Sequence, residues 1–285
     1  HAENGEILNF LRSECVKKGQ LTPHYHYVSR PPFTEAEAVR RAIYLAGQTD
    51  TPLYIAHMTC REAIAELQKA KGTGQRVSGE TCTHYLTTTK EVLDNPDFNE
   101  AAKFVCSPAL RDREDCEALW QALSDGLLTA VSSDHCGIDV AELKQAGRND
   151  FTQIPNGSPG AGDRLHMVWT EGVCTGKLTR QKFVDVIATQ PAKINGIYPR
   201  KGTLAVGSDA DVVIFDPNYE GTVHLADNPN GVDYNLYEGR RQSGRVETVL
   251  LRGQVVVENA KFVGRYGQGK FIPANMYASG YENRK

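Results

Sequence analysis

Thr129-Ala130-Val131-Ser132-Ser133-Asp134-His135-Cys136 is the stretch that decides the fold class. An apolar run breaks off into Ser-Ser-Asp-His, the pattern of a buried strand that ends at a chemical site. Leu53-Tyr54-Ile55-Ala56-His57 repeats it, and His1-Ala2-Glu3-Asn4 puts a third polar group at the edge of an element. Outward from these, helical and strand signals alternate up to about residue 200. Ile7, Leu8 and Leu11 make a short apolar stripe with Gly19 beyond it. Thr34 and Glu37 have the spacing of a capping box, and Ala36, Val39, Ile43 and Ala46 behind them predict an amphipathic helix ending near Gly47. A strand is expected over Leu53–Ala56, a helix through Ala63, Ile64 and Leu67, and a strand over Arg76–Glu80. A second helix with acids in its first turn follows Asp112, and another strand covers Leu127–Val131.

Polar groups at the carboxyl ends of strands, with helices between, are βα grammar. Open sheets and (β/α)8 barrels both build sites there. No GxGxxG or GxxxxGK[ST] follows a strand, so a nucleotide-binding open sheet is the weaker reading. About four units are visible, half a barrel. We expect an α/β chain in which residues 1–200 form the second half of a TIM barrel. Past residue 200 the texture changes. Gly202 to Asp216 carries two short runs around a polar turn, and Val246–Leu251 and Gln254–Glu258 flank Arg252-Gly253 as a hairpin. Residues 201–260 are therefore expected to contribute to a small β-sandwich, and 261–285 to form a C-terminal arm.

The 285 residues carry a net charge of −3, with 40% hydrophobic and 24% charged residues, which selects neither nucleic acid nor an anionic membrane as partner. No run approaches the length of a membrane span. Seven cysteines without a CxxC suit a reducing, cytoplasmic setting better than a disulfide scaffold. Cys60, Cys82, Cys106 and Cys136 fall near the site-forming segments, where packing is the expected role.

His1, His57 and Asp134 are the candidate metal ligands. A carboxylate directly after a buried strand needs a partner, and a divalent cation supplies one; zinc takes imidazole and carboxylate ligands together. Residues so far apart in sequence meet only if separate strands aim them at one centre. A metal would acidify water to make the nucleophile, and Asp134 would take its proton and pass it to a leaving amine. Ser107, before Pro108, and Asn156, in the Gly- and Pro-rich Ile154–Asp163 loop, are candidate binders of a small polar ligand; structural turns account for both loops equally well. His24 and His26 form an HxH pair with no apolar strand to carry it, so a lid or access loop is expected there. His84 follows a strand and is a further candidate. His135 and His166 are expected to be supporting groups, and Asp139 and Asp163 are left unassigned.

His1-Ala2-Glu3-Asn4-Gly5, Ser29-Arg30-Pro31-Pro32, the strand ending at His57, Gly79-Glu80-Thr81, His84-Tyr85-Leu86, Ser107-Pro108, Ser133-Asp134-His135, Ile154-Pro155-Asn156-Gly157 and Gly207-Ser208-Asp209-Ala210-Asp211 occur in this order. In that order the chain resembles the D-hydantoinase and dihydropyrimidinase family, the cyclic-amidase branch of the amidohydrolase superfamily, over its C-terminal three-fifths. The resemblance implies a barrel with a small β-sandwich and two zinc ions bridged by a carboxylated lysine that lies outside this segment. It implies a homotetramer and a small cyclic diamide as substrate. His1 and His57 would ligate the more exposed zinc, and Asp134 the more buried one while acting as general base. Ser107 and Asn156 would hold the ring through their backbone groups. An HxH pair, the lysine and an oxyanion-stabilising tyrosine would precede His1. The expected reaction is hydrolytic opening of a hydantoin or 5,6-dihydropyrimidine to an N-carbamoyl amino acid. A non-catalytic scaffold of the same fold, an allantoinase, or a phosphoester-cleaving member of the superfamily are the alternatives. Ala109 stands where the family more often has a second proline.

Overall fold

A computed structural model describes residues 1–275. Asn4 caps the first helix, α1 (Gly5–Lys17): its side-chain oxygen accepts from the Ile7 N–H at 3.2 Å, one of the donors a helix start leaves open. Next comes the single turn α2 (His24–Val28), then α3 (Pro32–Gln48). Proline at the first position of α3 loses no helical hydrogen bond. The expected capping box does not form, because Thr34 lies inside the helix and donates to Pro31 O at 2.8 Å. Glu37 accepts instead from Asn4 Nδ2 at 2.6 Å. The chain continues through β1 (Leu53–Ile55), α4 (Arg61–Gly72), β2 (Val77–Cys82), α5 (Thr83–Thr87), α6 (Phe98–Ala102), α7 (Arg113–Ser124) and β3 (Ala130–Ser132).

The three strands pair in parallel in the order β1-β2-β3, with Leu53 opposite Val77 and Glu80 opposite Ala130. A parallel bridge between His135 and Ser158 lies beyond β3. Ala63, Ile64, Leu67 and Ala70 of α4 and Cys116, Leu119, Trp120 and Leu123 of α7 are buried, the three-and-four spacing of a core-facing stripe. Asp115 accepts from both the Arg61 backbone N–H at 3.0 Å and its guanidinium at 3.1 Å, which ties the two helix starts together. β2 lies further along than its apolar pattern predicts, because Gly79 lets its polar half sink into the core. A Cβ on Gly79 would stand 2.5 Å from Met58 Sδ. β3 also starts later than expected: Leu128 is fully buried, yet its N–H closes the exit of α7 on Ala122 O at 2.9 Å.

These elements belong to one compact unit, His1–Arg164 with Val223–Gly239; a second comprises Leu165–Thr222 and the described residues from Arg240 to Asn275. In the second unit β4 (Val212–Thr222), β5 (Arg241–Leu251), β6 (Gln254–Glu258) and β7 (Lys261–Phe262) form an antiparallel sheet in that order. Arg252 and Gly253 turn β5 into β6 with φ of +49° and +78°, the left-handed pair that a two-residue hairpin needs. Asp211 fixes this turn by accepting from the Arg252 N–H at 2.8 Å. The run before it forms no strand, and Leu204 and Val206 are exposed. Lys261–Phe262, expected in the arm, extends the sheet edge instead; residues 276–285 of that expected arm lie outside the described residues. Among the described residues no helix is long and apolar enough to cross a membrane.

Candidate functional site

His1 and His57 meet. His1 Nδ1 stands 3.3 Å from His57 Nε2, and the rings lie edge-on at 4.9 Å between centroids. Each is aimed by its neighbours. His1 presents its other nitrogen to Glu3 Oε2 at 3.0 Å, and Arg30 Nη1 donates to the same oxygen at 2.9 Å. Burial works to raise the Glu3 carboxyl, but His1 and then Arg30 hold it below the ordinary carboxylate value. Glu3 thereby fixes the His1 ring with Nδ1 turned towards His57, the way a carboxylate orients a ligating imidazole.

His57 follows β1 with φ +38°, in the left-handed region that non-glycine residues seldom occupy. The turn is held from both sides. Met58 N–H donates to Glu80 O at 2.8 Å, the Thr81 hydroxyl donates to Met58 O at 2.8 Å, and Thr59 N–H donates to Glu35 Oε1 at 2.8 Å. Burial lowers the His57 pKa, Asp134 raises it and His1 lowers it again. Its Nδ1 is buried and, among the described residues, without a hydrogen-bond partner.

The distance between the two rings decides what they can bind. Two nitrogens held at about 2.0–2.1 Å on a tetrahedral zinc stand about 3.3–3.4 Å apart. The two imidazoles therefore fit as part of a zinc donor set. Among the described residues no group of three or more His, Cys, Asp and Glu side chains closes on a common point.

Asp134 follows β3 with φ +44°, a second left-handed non-glycine residue at a strand end. Its side chain is exposed among the described residues, where a buried carboxylate was expected. The strand stops at Ser132, two residues before it. Its charge still reaches inward: it opposes the effect of burial on His57 and raises the buried Cys82 and Cys106 thiols.

Ser107 and Asn156 also come together, the Ser107 hydroxyl donating to Asn156 Oδ1 at 2.7 Å. Asn156 Nδ2 folds back to Ile154 O at 3.1 Å, and the Gly157 N–H donates to Val105 O at 3.0 Å. Gly157 has φ +126°, and a Cβ there would meet Cys136 Sγ at 2.5 Å, so the loop presses closely on the segment after Asp134. The Tyr85 hydroxyl, buried, donates to Pro108 O at 2.7 Å.

His24 and His26 are not on a lid. They lie on α2, where His26 is buried and its Nε2 donates to Cys106 O at 2.7 Å; burial first, then Arg30, pushes its pKa down to about 3. His24 pairs with Asp94 at 2.6 Å. His84 is buried with its ring 4.1 Å from Tyr85, its Nε2 unpartnered among the described residues, and its pKa pushed down to about 3 by burial and by His57. His135 Nδ1 accepts from the Gly160 N–H at 3.3 Å, and His166 Nε2 accepts from the Val246 N–H at 3.4 Å. Asp139 accepts from the Asp233 N–H, and Asp163 from Asn228 and Asn235, all structural contacts. Burial raises the Cys60, Cys82 and Cys106 thiols, which keeps them protonated and unreactive.

Sequence reading missed the polar groups underneath. Arg111 is 4% exposed and donates to Thr59 Oγ1 at 2.9 Å, to Glu35 Oε2 at 3.1 Å and to Arg30 O. It connects the His57 turn to the arginine behind Glu3 and His1. Lys144 is fully buried beneath the Asn156 loop. A Lys or Arg in an otherwise ordinary polar stretch gives no sign that it is buried.

A sequence profile described as the Amidohydrolase family matches residues 31–256. D-hydantoinases from Ralstonia pickettii and Rhizobium radiobacter are each 47% identical over 277 residues, covering 97% of this chain and 60% of the relative. The crystal structure of a dihydropyrimidinase from Brevibacillus agri NCHU1002 superposes with a TM-score of 0.96 at 44% identity, covering 98% of this chain and 60% of that one. The chain thus spans about three-fifths of the length of the relatives it matches.

Proposed function

Because this chain belongs to the amidohydrolase family, we propose that the protein opens the ring of a hydantoin or 5,6-dihydropyrimidine by zinc-dependent hydrolysis, giving an N-carbamoyl amino acid. The observation that carries the reading is the 3.3 Å approach of His1 Nδ1 to His57 Nε2. The names D-hydantoinase and dihydropyrimidinase borne by its relatives support the substrate class.

In this proposal His1 and His57 hold zinc and Asp134 completes the set from this chain. Bound zinc supplies Lewis acidity and brings the pKa of a water towards 7. Glu3, backed by Arg30, keeps His1 oriented and its Nδ1 lone pair free. Asp134 stands exposed at its strand end, where its carboxylate takes a proton from the attacking water and returns it to the ring nitrogen as the C–N bond breaks. Ser107 and Asn156 hold the ring's amide groups and keep its carbonyl in the path of attack. The left-handed backbone at both His57 and Asp134 supports the assignment, since strained non-glycine residues gather at functional sites.

The proposal extends to the whole protein: a (β/α)8 barrel to which residues 1–200 contribute, a β-sandwich that includes 201–260, two zinc ions bridged by a carboxylated lysine, and a homotetramer in the cytoplasm. Seven free thiols support the reducing compartment. The test uses the protein expressed from its complete reading frame. Metal analysis should find about two zinc ions per subunit. Turnover of hydantoin, 5-substituted hydantoins, dihydrouracil and allantoin should show ring opening of the first three in preference to allantoin. Zinc-free protein without turnover would support a scaffold instead, and activity on phosphate esters alone would refute the amidase reading.

A further inference from the structure

We propose that Lys144 is a positioning residue for the substrate: its buried ammonium braces the Ser107 segment against the Asn156 loop. This inference rests on the cyclic-diamide reading above. Lys144 Nζ donates to Val105 O at 3.2 Å, to Pro155 O at 3.3 Å and to Gly157 O at 2.8 Å. An ammonium has three hydrogens, and each finds an oxygen. The acceptors come from two separate segments. Val105 lies two residues before Ser107, and Pro155 and Gly157 stand on either side of Asn156. The brace therefore grips the backbone next to both groups proposed to hold the ring.

All three partners are backbone carbonyls rather than carboxylates. A lysine cation buried without a counter-ion is expensive, and burial pushes the Lys144 pKa down to about 8. Methionine would fill the same space without that cost. What the ammonium adds is a simultaneous hold on three oxygens, which fixes the spacing of the two segments to within a hydrogen-bond length. Its own base is anchored separately. Lys144 N–H donates to Asp139 O at 3.1 Å, and the Asp233 carboxylate accepts from the Val140 and Ala141 N–H groups at 2.9 and 2.7 Å. The brace is thus held by a segment other than those it positions. The Gly157 N–H to Val105 O bond and the Ser107 to Asn156 bond run along the same seam.

The test compares Lys144→Met and Lys144→Gln with wild type in the zinc-loaded protein from the complete reading frame. Kinetics on hydantoin and dihydrouracil are read beside deuterium exchange of peptides covering residues 104–108 and 154–158. In the Met variant KM should rise about tenfold or more while kcat falls less than about threefold. Both peptides should exchange faster, with zinc content unchanged. The Gln variant, which keeps two donors, should lie between. A Met variant whose KM stays within about twofold of wild type overturns the proposal, as does a loss confined to kcat. Faster exchange throughout the first unit, or failure of both variants to fold, also overturns it, because Lys144 would then be a general core group. If wild type opens no cyclic amide, the functional reading fails, and the exchange measurement still decides whether Lys144 braces the two segments.

Discussion

The pair Glu35–Arg111 offers the sharpest test of how the two histidines are held. Both side chains are nearly sealed, at 2% and 4% exposure. Arg111→Met deletes three donated hydrogen bonds and leaves Glu35 with Thr59 alone. Glu35→Met strands a buried guanidinium instead. Removing one member of a buried pair costs about 3–5 kcal/mol, whereas replacing both by apolar groups of similar size is often close to neutral. The singles should therefore sum to roughly 6–10 kcal/mol, and the double variant should cost no more than about 3, an interaction of at least about 3 kcal/mol. Burial already raises the Glu35 carboxyl even with Arg111 beside it, so in Arg111→Met it should rise further and favour the protonated form, which limits the single cost. The assay is urea denaturation followed by far-ultraviolet circular dichroism. Costs that add to within about 0.5 kcal/mol would refute the reasoning, because additive sites do not share a network. Zinc affinity gives an independent reading. Arg111 also reaches Arg30, which holds Glu3 against His1, so Arg111→Met should weaken zinc binding by about 10–100-fold, the range seen for groups behind metal ligands.

Asp134→Asn should abolish ring opening while leaving the fold largely intact by circular dichroism; turnover near wild type would remove Asp134 from the mechanism. Gly79→Ala drives a methyl to 2.5 Å from Met58 Sδ and should cost about 1–3 kcal/mol in urea while loosening the turn that carries His57. The neutral His26 ring gives a pH prediction. With a folded pKa of about 3 against an ordinary value of 6.5, the folded state binds fewer protons than the unfolded one between those limits, so stability falls as pH drops through that window. From pH 6.5 to pH 5 this amounts to about 2 kcal/mol, and His26→Gln, which keeps a donor for Cys106 O, should flatten the slope by that much. An unchanged slope would show that His26 protonates in the folded protein.

The strands that carry the site were legible because each breaks from apolar to polar at its carboxyl end. Leu53–Ile55 before His57 and Ala130–Ser132 before Asp134 sit close to their expected places. Two runs flanking Arg252-Gly253 also gave the β5–β6 hairpin, whose Arg-Gly turn is read by local backbone chemistry. Errors arose where tertiary contacts overrode local pattern. Val77–Cys82 is half polar and yet a buried strand, since parallel strands covered on both faces need not alternate. His24–His26 lacked an apolar strand and read as a lid or access loop, but a single helical turn buries His26 against Cys106. Asp134 was singled out on the expectation of a buried carboxylate; among the described residues the carboxylate is exposed, and it stands in a left-handed turn that sequence does not reveal.

The supporting charges were illegible for a deeper reason. Burial of a lysine or arginine is decided by acceptors far away in the chain. Arg111 satisfies Thr59, Glu35 and Arg30, and Lys144 satisfies Val105, Pro155 and Gly157, none of them within ten residues. In the proposed reading the two cations divide the task. Arg111 governs the elements that deliver His1 and His57, and Lys144 governs those that deliver Ser107 and Asn156. Zinc binding and ring binding should therefore fail separately. Arg111→Met should lower metal occupancy, and added zinc should restore its kcat without altering KM. Lys144→Met should keep its metal, and added zinc should leave its raised KM unchanged. If excess zinc repairs both variants or neither, the two halves of the site are not independently braced, and the division drawn from these hydrogen bonds is wrong.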